Sequence, residues 1–360
     1  MKRRAFNRQL ALGLTGASLL PNCTNGADAK DKSLADQQVL APMSLDGLIK
    51  PKRLKKGDTI GLITPGSFIP DKALTKAINN VKQLGFKVQL GENIRALRGF
   101  NAGTDDQRVS DIHRMFEDDQ IDAIWCARGG YGCTRILPMI DYELIRQKPK
   151  ALIGYSDITA LHNALLQKCK LISFHGPVAS STLSPYTKFQ FEQVLMQPKN
   201  QYTIKLATAY KNQTDELFQS KTIVAGKAKG TLIGGNLSLL AAMAGTDFAI
   251  DATNKLIFME DIEEKPYRID RMLTQLKQSS QLDAAAGFAL GIFADCIPEP
   301  EDRSLSLLET VEDRLKDTQK PTAYGLSWGH IRHQATLAVG VQAELDASQF
   351  TLTLLESGVV

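Results

Sequence analysis

The chain has 360 residues, of which 43 % are hydrophobic and 23 % charged. That balance excludes a disordered, collagen-like or disulfide-stapled chain, and at roughly 100–200 residues per domain it allows two domains with large cores. The formal net charge is +4, but residues 1–29 hold four of the 43 basic residues and one of the 39 acidic ones, so the remainder nets +1. A nucleic-acid partner would require a basic surplus, and none is expected.

Lys2 to Arg8 is a positive segment, Leu10 to Leu20 a short apolar stretch, and Ala27-Asp28-Ala29 a small-x-small cleavage pattern. That order reads as a signal peptide over residues 1–29, and Arg3-Arg4-Ala5-Phe6 resembles a twin-arginine signal. Export to the periplasm is the expectation; a disordered basic tail is the plainer alternative. Cys23 suggests a lipoprotein, although Asn22 is not the small residue such signals place before the cysteine. No apolar run approaches the roughly 18 residues of a membrane span. Residues 30–54 read as a polar linker.

From Asp58 to about Gly176 short apolar runs alternate with helical spacing. Thr59–Thr64, Phe86–Leu90, Ile121–Cys126 and Ala151–Gly154 are expected strands. Lys72–Leu84 carries a helical stripe and ends at Gly85, and Thr104-Asp105-Asp106-Gln107 is a capping box opening the next helix. Further helices are expected around Thr134–Ile145 and Asp157–Lys168. The rhythm predicts an α/β fold, with a doubly wound, mostly parallel sheet over residues 55–180. Residues 181–222 read as a connecting region. Residues 223–360 read as a second, mixed α/β domain with strands at Ile223–Gly226, Leu256–Met259, Ala289–Ile292 and Thr336–Val339.

Two junctions at strand ends carry possible chemistry. Ile153-Gly154-Tyr155-Ser156-Asp157 places a serine between a strand and a helix, where free N–H groups could receive an oxyanion. It resembles a nucleophile elbow, but Ile158 stands where the second glycine of Gly-x-Ser-x-Gly would be, and Ser156 also suits a plain helix N-cap. Arg128-Gly129-Gly130-Tyr131-Gly132 lets backbone approach a ligand closely, or is a tight turn. A serine nucleophile needs a base and a group to orient it. His330, in a loop before an apolar strand, is the better-placed base; His175 could lie near a site, whereas His113 and His162 read as helix residues. Glu260 or Asp261, after Leu256–Met259, could be the orienting carboxylate. None of Cys126, Cys133, Cys169 and Cys296 is in a CxxC pair, no His stands at ligand spacing beside them, and no metal is expected. Cys126 and Cys169 read as core residues.

Several ordered segments together are more specific: Ile63-Thr64-Pro65, Ala102-Gly103 with Gln107-Arg108, Trp125 to Gly132, Ile153 to Thr159, His175-Gly176-Pro177, Gly234-Gly235-Asn236-Leu237, Glu260-Asp261 with Tyr267-Arg268, and Gly329-His330. From about Leu54 to Leu355 the chain resembles the LD-carboxypeptidase family of serine peptidases, which also contains the microcin C immunity proteins. The resemblance implies a swivelling, barrel-like second domain, with Ser156 as nucleophile, Glu260 as acidic member and His330 as base. The oxyanion would meet the N–H of Asp157 and one from Gly129-Gly130, and Arg128 or Arg268 would face the substrate's free carboxylate. It further implies release of terminal D-alanine from murein tetrapeptides, no metal or organic cofactor, and a homodimer. Two alternatives are a serine amidase detoxifying a peptide-nucleotide antibiotic and a non-catalytic periplasmic solute-binding protein.

Overall fold

The apolar run Thr59–Ile63 forms strand β1, in which Ile60, Leu62 and Ile63 have no solvent exposure. A strand covered on both faces takes a central place in a parallel sheet. The computed structural model describes residues 47–210, 214–299, 301 and 303–360. The signal-peptide reading, Cys23 and most of the linker lie outside the described residues.

After β1 come α1 (Asp71–Gln83), β2 (Lys87–Leu90), α2 (Asp105–Glu117) and β3 (Ala123–Cys126). Then follow α3 (Cys133–Ile136), α4 (Tyr142–Gln147), β4 (Ala151–Gly154), α5 (Thr159–Cys169) and β5 (Ser173–His175). The strands pair in parallel in the order β2-β1-β3-β4-β5. Connections leave in opposite directions between β1 and β3, and ligands of such sheets bind outside the carboxyl ends near that switch. The predicted capping box is present, Thr104 accepting from Gln107 N–H and Gln107 from Thr104 N–H. The helix expected around Thr134–Ile145 is broken. Pro138 cannot donate to a preceding turn, so Leu137–Met139 is a 3₁₀ turn, and Asp141 caps α4 through Leu144 N–H.

The rest of the chain forms α6 (Pro185–Leu195), β6 (Tyr202–Ile204), β7 (Lys221–Val224), β8 (Lys227–Asn236) and α7 (Leu237–Met243). These are followed by β9 (Lys255–Ile262), α8 (Pro266–Ser279), β10 (Gly287–Ala294), α9 (Leu307–Leu315) and β11 (Thr322–Tyr324). Last come β12 (Leu337–Val339), β13 (Gln342–Asp346) and β14 (Thr351–Leu354). The second sheet runs β6-β14-β13-β8-β9-β10-β11-β7, parallel from β8 to β11 and antiparallel outside them. The mixed second sheet matches the expected fold class.

Three segments depart from the sequence reading. The 181–222 stretch holds α6 and also β6, which completes an edge of the second sheet. Thr336–Val339 does not join that sheet: its fully buried β12 pairs antiparallel with β5, Leu337 opposite His175, and so covers an edge of the first sheet. Residues 48–54, read as linker, pack onto the fold. Ile49 bridges Leu171, Arg53 N–H donates to the Val360 carbonyl at 2.8 Å, and Leu54 is buried.

The two sheets meet at α5. Thr159 Oγ1 accepts from Asn236 N–H at 2.9 Å, and Asn163 Nδ2 donates to the Gly234 carbonyl at 3.1 Å. A Cβ on Gly235 would stand 2.4 Å from Thr159 Oγ1, so only glycine allows this approach. The contact carries the carboxyl ends of β8 and β9 toward the turn that holds Ser156.

Candidate active site

β4 ends at Gly154, and Ser156–Ile158 form a 3₁₀ turn that leads into α5. Ser156 is not the N-cap that its local sequence suggests. Tyr155 occupies that position, while Ser156 has a φ of +64° and its hydroxyl bonds to no described residue. A left-handed backbone at a non-glycine residue costs on the order of 1–3 kcal/mol and persists only where its surroundings impose it. The sharp strand–turn–helix passage is the backbone form of a nucleophile elbow, without its second glycine.

Glu260 lies on β9 opposite Asn236 of β8 and has no solvent exposure. Its Oε2 is 2.8 Å from His330 Nδ1. Gly329 brings the histidine in with a φ of +117°; a Cβ there would stand 2.7 Å from the Ile292 carbonyl and 3.1 Å from Glu260 Cβ. Burial opposes charge on both partners. It is outweighed in each: Glu260, with Asp261 and Glu263 behind it, raises the His330 pKa, and the His330 and Asn236 side chains lower that of Glu260. The pair is therefore an imidazole held by a buried carboxylate, an arrangement able to act as a base, with His330 Nε2 unbonded among the described residues. The Tyr155 ring packs on the His330 ring, centroids 4.8 Å apart, so the residue before Ser156 touches this imidazole.

The sequence left Glu260 and Asp261 open as the orienting group. Only Glu260 contacts His330; Asp261 instead accepts from Asn236 Nδ2 at 3.0 Å, Ser238 Oγ at 2.8 Å and Ile262 N–H at 2.9 Å. Burial and the neighbouring Glu260 charge push the Asp261 pKa up to about 6. Asn236 and Ser238 were not anticipated as site residues. The available signal was a polar residue closing the Gly234-Gly235 strand end.

Gly129 lies against the serine: a Cβ on it would stand 3.3 Å from Ser156 Cβ and 3.4 Å from Asp157 N. N–H groups of a first helical turn lack an intrahelical acceptor, so Asp157 N–H is available beside this gap. The Asp157 carboxylate faces away, accepting from Cys133 N–H at 2.9 Å, and burial raises its pKa. Gly130 has a φ of +95°, and a Cβ on it would stand 2.4 Å from Ser67 Oγ, whose own N–H donates to the Gly129 carbonyl at 3.0 Å. Arg128 is half-buried, donating from Nη1 to the Phe68 carbonyl at 2.9 Å. Arg268 is exposed and held by Tyr267 and Glu264.

The other histidines divide as their surroundings dictate. His162 is buried and satisfied by Ser173 Oγ and the Gly154 carbonyl; His113 accepts from Asp141 N–H. Cys126 and Cys169 are buried core residues, as expected. Among the described residues, no group of three or more His, Cys, Asp or Glu side chains is arranged to hold a metal, and no helix is long and apolar enough to cross a membrane.

The LD-carboxypeptidase N-terminal domain family matches residues 60–176 and the LD-carboxypeptidase C-terminal domain family residues 229–345. A probable murein peptide carboxypeptidase of Bacillus subtilis is 41 % identical over 315 residues, 86 % of this chain and 95 % of that protein. The murein tetrapeptide carboxypeptidase of Pseudomonas aeruginosa is 35 % identical over 241 residues, covering 66 % of this chain and 77 % of that one. The crystal structure of a muramoyltetrapeptide carboxypeptidase from Oxalobacter formigenes matches with a TM-score of 0.70 at 30 % identity, over 82 % of this chain and 97 % of that chain. The microcin C7 self-immunity protein MccF of Escherichia coli is more distant, 25 % identical over 84 % of this chain and 94 % of that protein.

Proposed function

On the premise that the chain belongs to the LD-carboxypeptidase family, we propose that it is a serine-type carboxypeptidase releasing terminal D-alanine from murein tetrapeptides. Its membership makes it a peptidase; the serine chemistry and the roles below are our reading. The observation that carries it is the 2.8 Å bond from His330 to a carboxylate buried without exposure on β9, opposite the β8 residue Asn236 that bonds to Thr159 just after the Ser156 turn.

In this reading His330 Nε2 takes the Ser156 Oγ proton as the oxygen attacks the carbonyl before D-alanine. Glu260 Oε2 accepts from Nδ1–H, fixing the tautomer and stabilising the imidazolium. Asp157 N–H, with one N–H from Gly129-Gly130, receives the oxyanion. The C–N bond then breaks, and His330 returns the proton to the D-alanine nitrogen. Water, deprotonated by the same ring, cleaves the acyl-serine and restores Ser156. No step calls for a metal or organic cofactor. Arg128 is our candidate for the substrate's free carboxylate. It neighbours Gly129, and among the described residues its guanidinium donates to the Phe68 carbonyl and lies over the Phe68 ring, with no carboxylate partner.

The higher identity to the murein peptide relative than to the microcin C7 immunity protein favours a wall peptide over a peptide-nucleotide antibiotic. The basic and apolar order of residues 1–29 supports action outside the cytoplasm, and we keep dimerisation as part of the proposal. The test is incubation with murein tetrapeptides ending in D-alanine or L-alanine. Release of the terminal alanine from the D-ended peptide alone supports the reading; no release from either overturns it.

A further inference from the structure

His175 is fully buried, and neither ring nitrogen has a hydrogen-bond partner among the described residues. Glu260 Oε1 is likewise buried, with the Asn236 side chain near the carboxylate but no hydrogen bond of normal geometry to Oε1 among the described residues, while Oε2 is held by His330. Unpaired polar atoms away from water are costly, a carboxylate oxygen most of all. These atoms come from elements that converge. β5 sets His175 beside Gly154, two residues before Ser156. The His175 ring meets the Phe258 ring edge-on at 5.0 Å, and Phe258 precedes Glu260 by two positions on β9, hence on the same face. Tyr155 lies between the two imidazoles, 6.1 Å from the His175 centroid and 4.8 Å from that of His330.

We propose that His175 is a positioning residue for the reaction: its ring N–H donates through one buried water to Glu260 Oε1, which keeps Oε2 aimed at His330 Nδ1. This rests on the triad reading above. Buried waters join polar groups that have no protein partner and count nearly as direct bonds. A neutral imidazole supplies one donor, and burial keeps His175 neutral, its pKa pushed down to about 4, so it adds no charge behind the pair. The groups facing His175 are His162 from α5, Tyr155 after β4, Glu260 from β9 and His330. Those facing His330 are Glu260, Asp261 and Glu263. Tyr155 packs on both rings, but Glu260 is the carboxylate that both histidines face, and His175 acts on the base through it.

The test compares the wild type with His175→Phe and His175→Gln, following the His330 ring by NMR titration alongside D-alanine release. In His175→Phe the carboxylate loses its anchor. The His330 pKa falls, and kcat drops on the order of 10–100-fold with KM unchanged. His175→Gln keeps an amide donor and holds both near wild type. An unmoved His330 titration in His175→Phe overturns the proposal whatever kcat does. Equal His330 shifts in both variants overturn it too. Should His175→Phe not fold, the wild-type spectrum decides: a slowly exchanging His175 ring N–H is expected, and one in free exchange with bulk water contradicts the bridge. A wild type that releases no D-alanine overturns the function above and leaves these NMR outcomes to judge the bridge.

Discussion

His330 Nδ1 lies 2.8 Å from Glu260 Oε2 although 70 residues separate them, and the carboxylate has no exposure. Burial disfavours the imidazolium, but Glu260 outweighs it and raises the His330 pKa. On the proposed mechanism the working base is the neutral ring, so kcat/KM should fall as pH drops through that raised value. Glu260→Gln keeps the shape and removes the charge. The acid limb of the kcat/KM profile should move to lower pH, and kcat should fall by about 10³–10⁴. A limb that stays in place would remove Glu260 from the mechanism.

The backbone of Ser156 is held at a φ of +64°. Glycine adopts that conformation without penalty. Ser156→Gly should abolish turnover and yet raise stability by about 1 kcal/mol, read as a higher melting temperature. A lower melting temperature would mean that the side chain supports the turn rather than reacting from it.

Gly129 leaves room beside Ser156 and Asp157 N–H, and a methyl there would reach 3.1 Å from the Tyr155 carbonyl. Gly129→Ala should cut kcat by about 10²–10³, the scale of a lost oxyanion donor, with a near-normal melting curve. Steady-state kinetics on a murein tetrapeptide would read this directly, and a wild-type kcat would move the oxyanion site elsewhere.

Much of this was legible in the sequence because it is local. The parallel strands followed from apolar runs such as Ile60–Ile63, and the capping box of α2 from Thr104 and Gln107. What escaped depended on partners far along the chain. Leu337–Val339 is short and apolar in either sheet, and only its pairing with β5 decides which. Ser156 has the composition of a helix cap, and its positive φ occurs at a turn packed against Gly129, 27 positions earlier. Asn236 is an ordinary strand-end residue until Asp261, 25 positions later, accepts its amide.

Arg128 carries the proposed contact to the terminal carboxylate. Arg128→Met should raise KM about 10–100-fold and leave kcat largely intact, because a contact made equally in ground and transition states acts on binding. The same change at Arg268, already paired with Glu264, should alter KM little. A reversed pattern would exchange their roles.

The proposed reaction depends most on Ser156 as the attacking oxygen. Its direct measure is D-alanine release from a murein tetrapeptide by Ser156→Ala beside the wild type, each with a matching melting curve. Loss of turnover by about 10⁴-fold or more in a folded variant is expected. A folded Ser156→Ala that releases D-alanine within tenfold of an active wild type would contradict it.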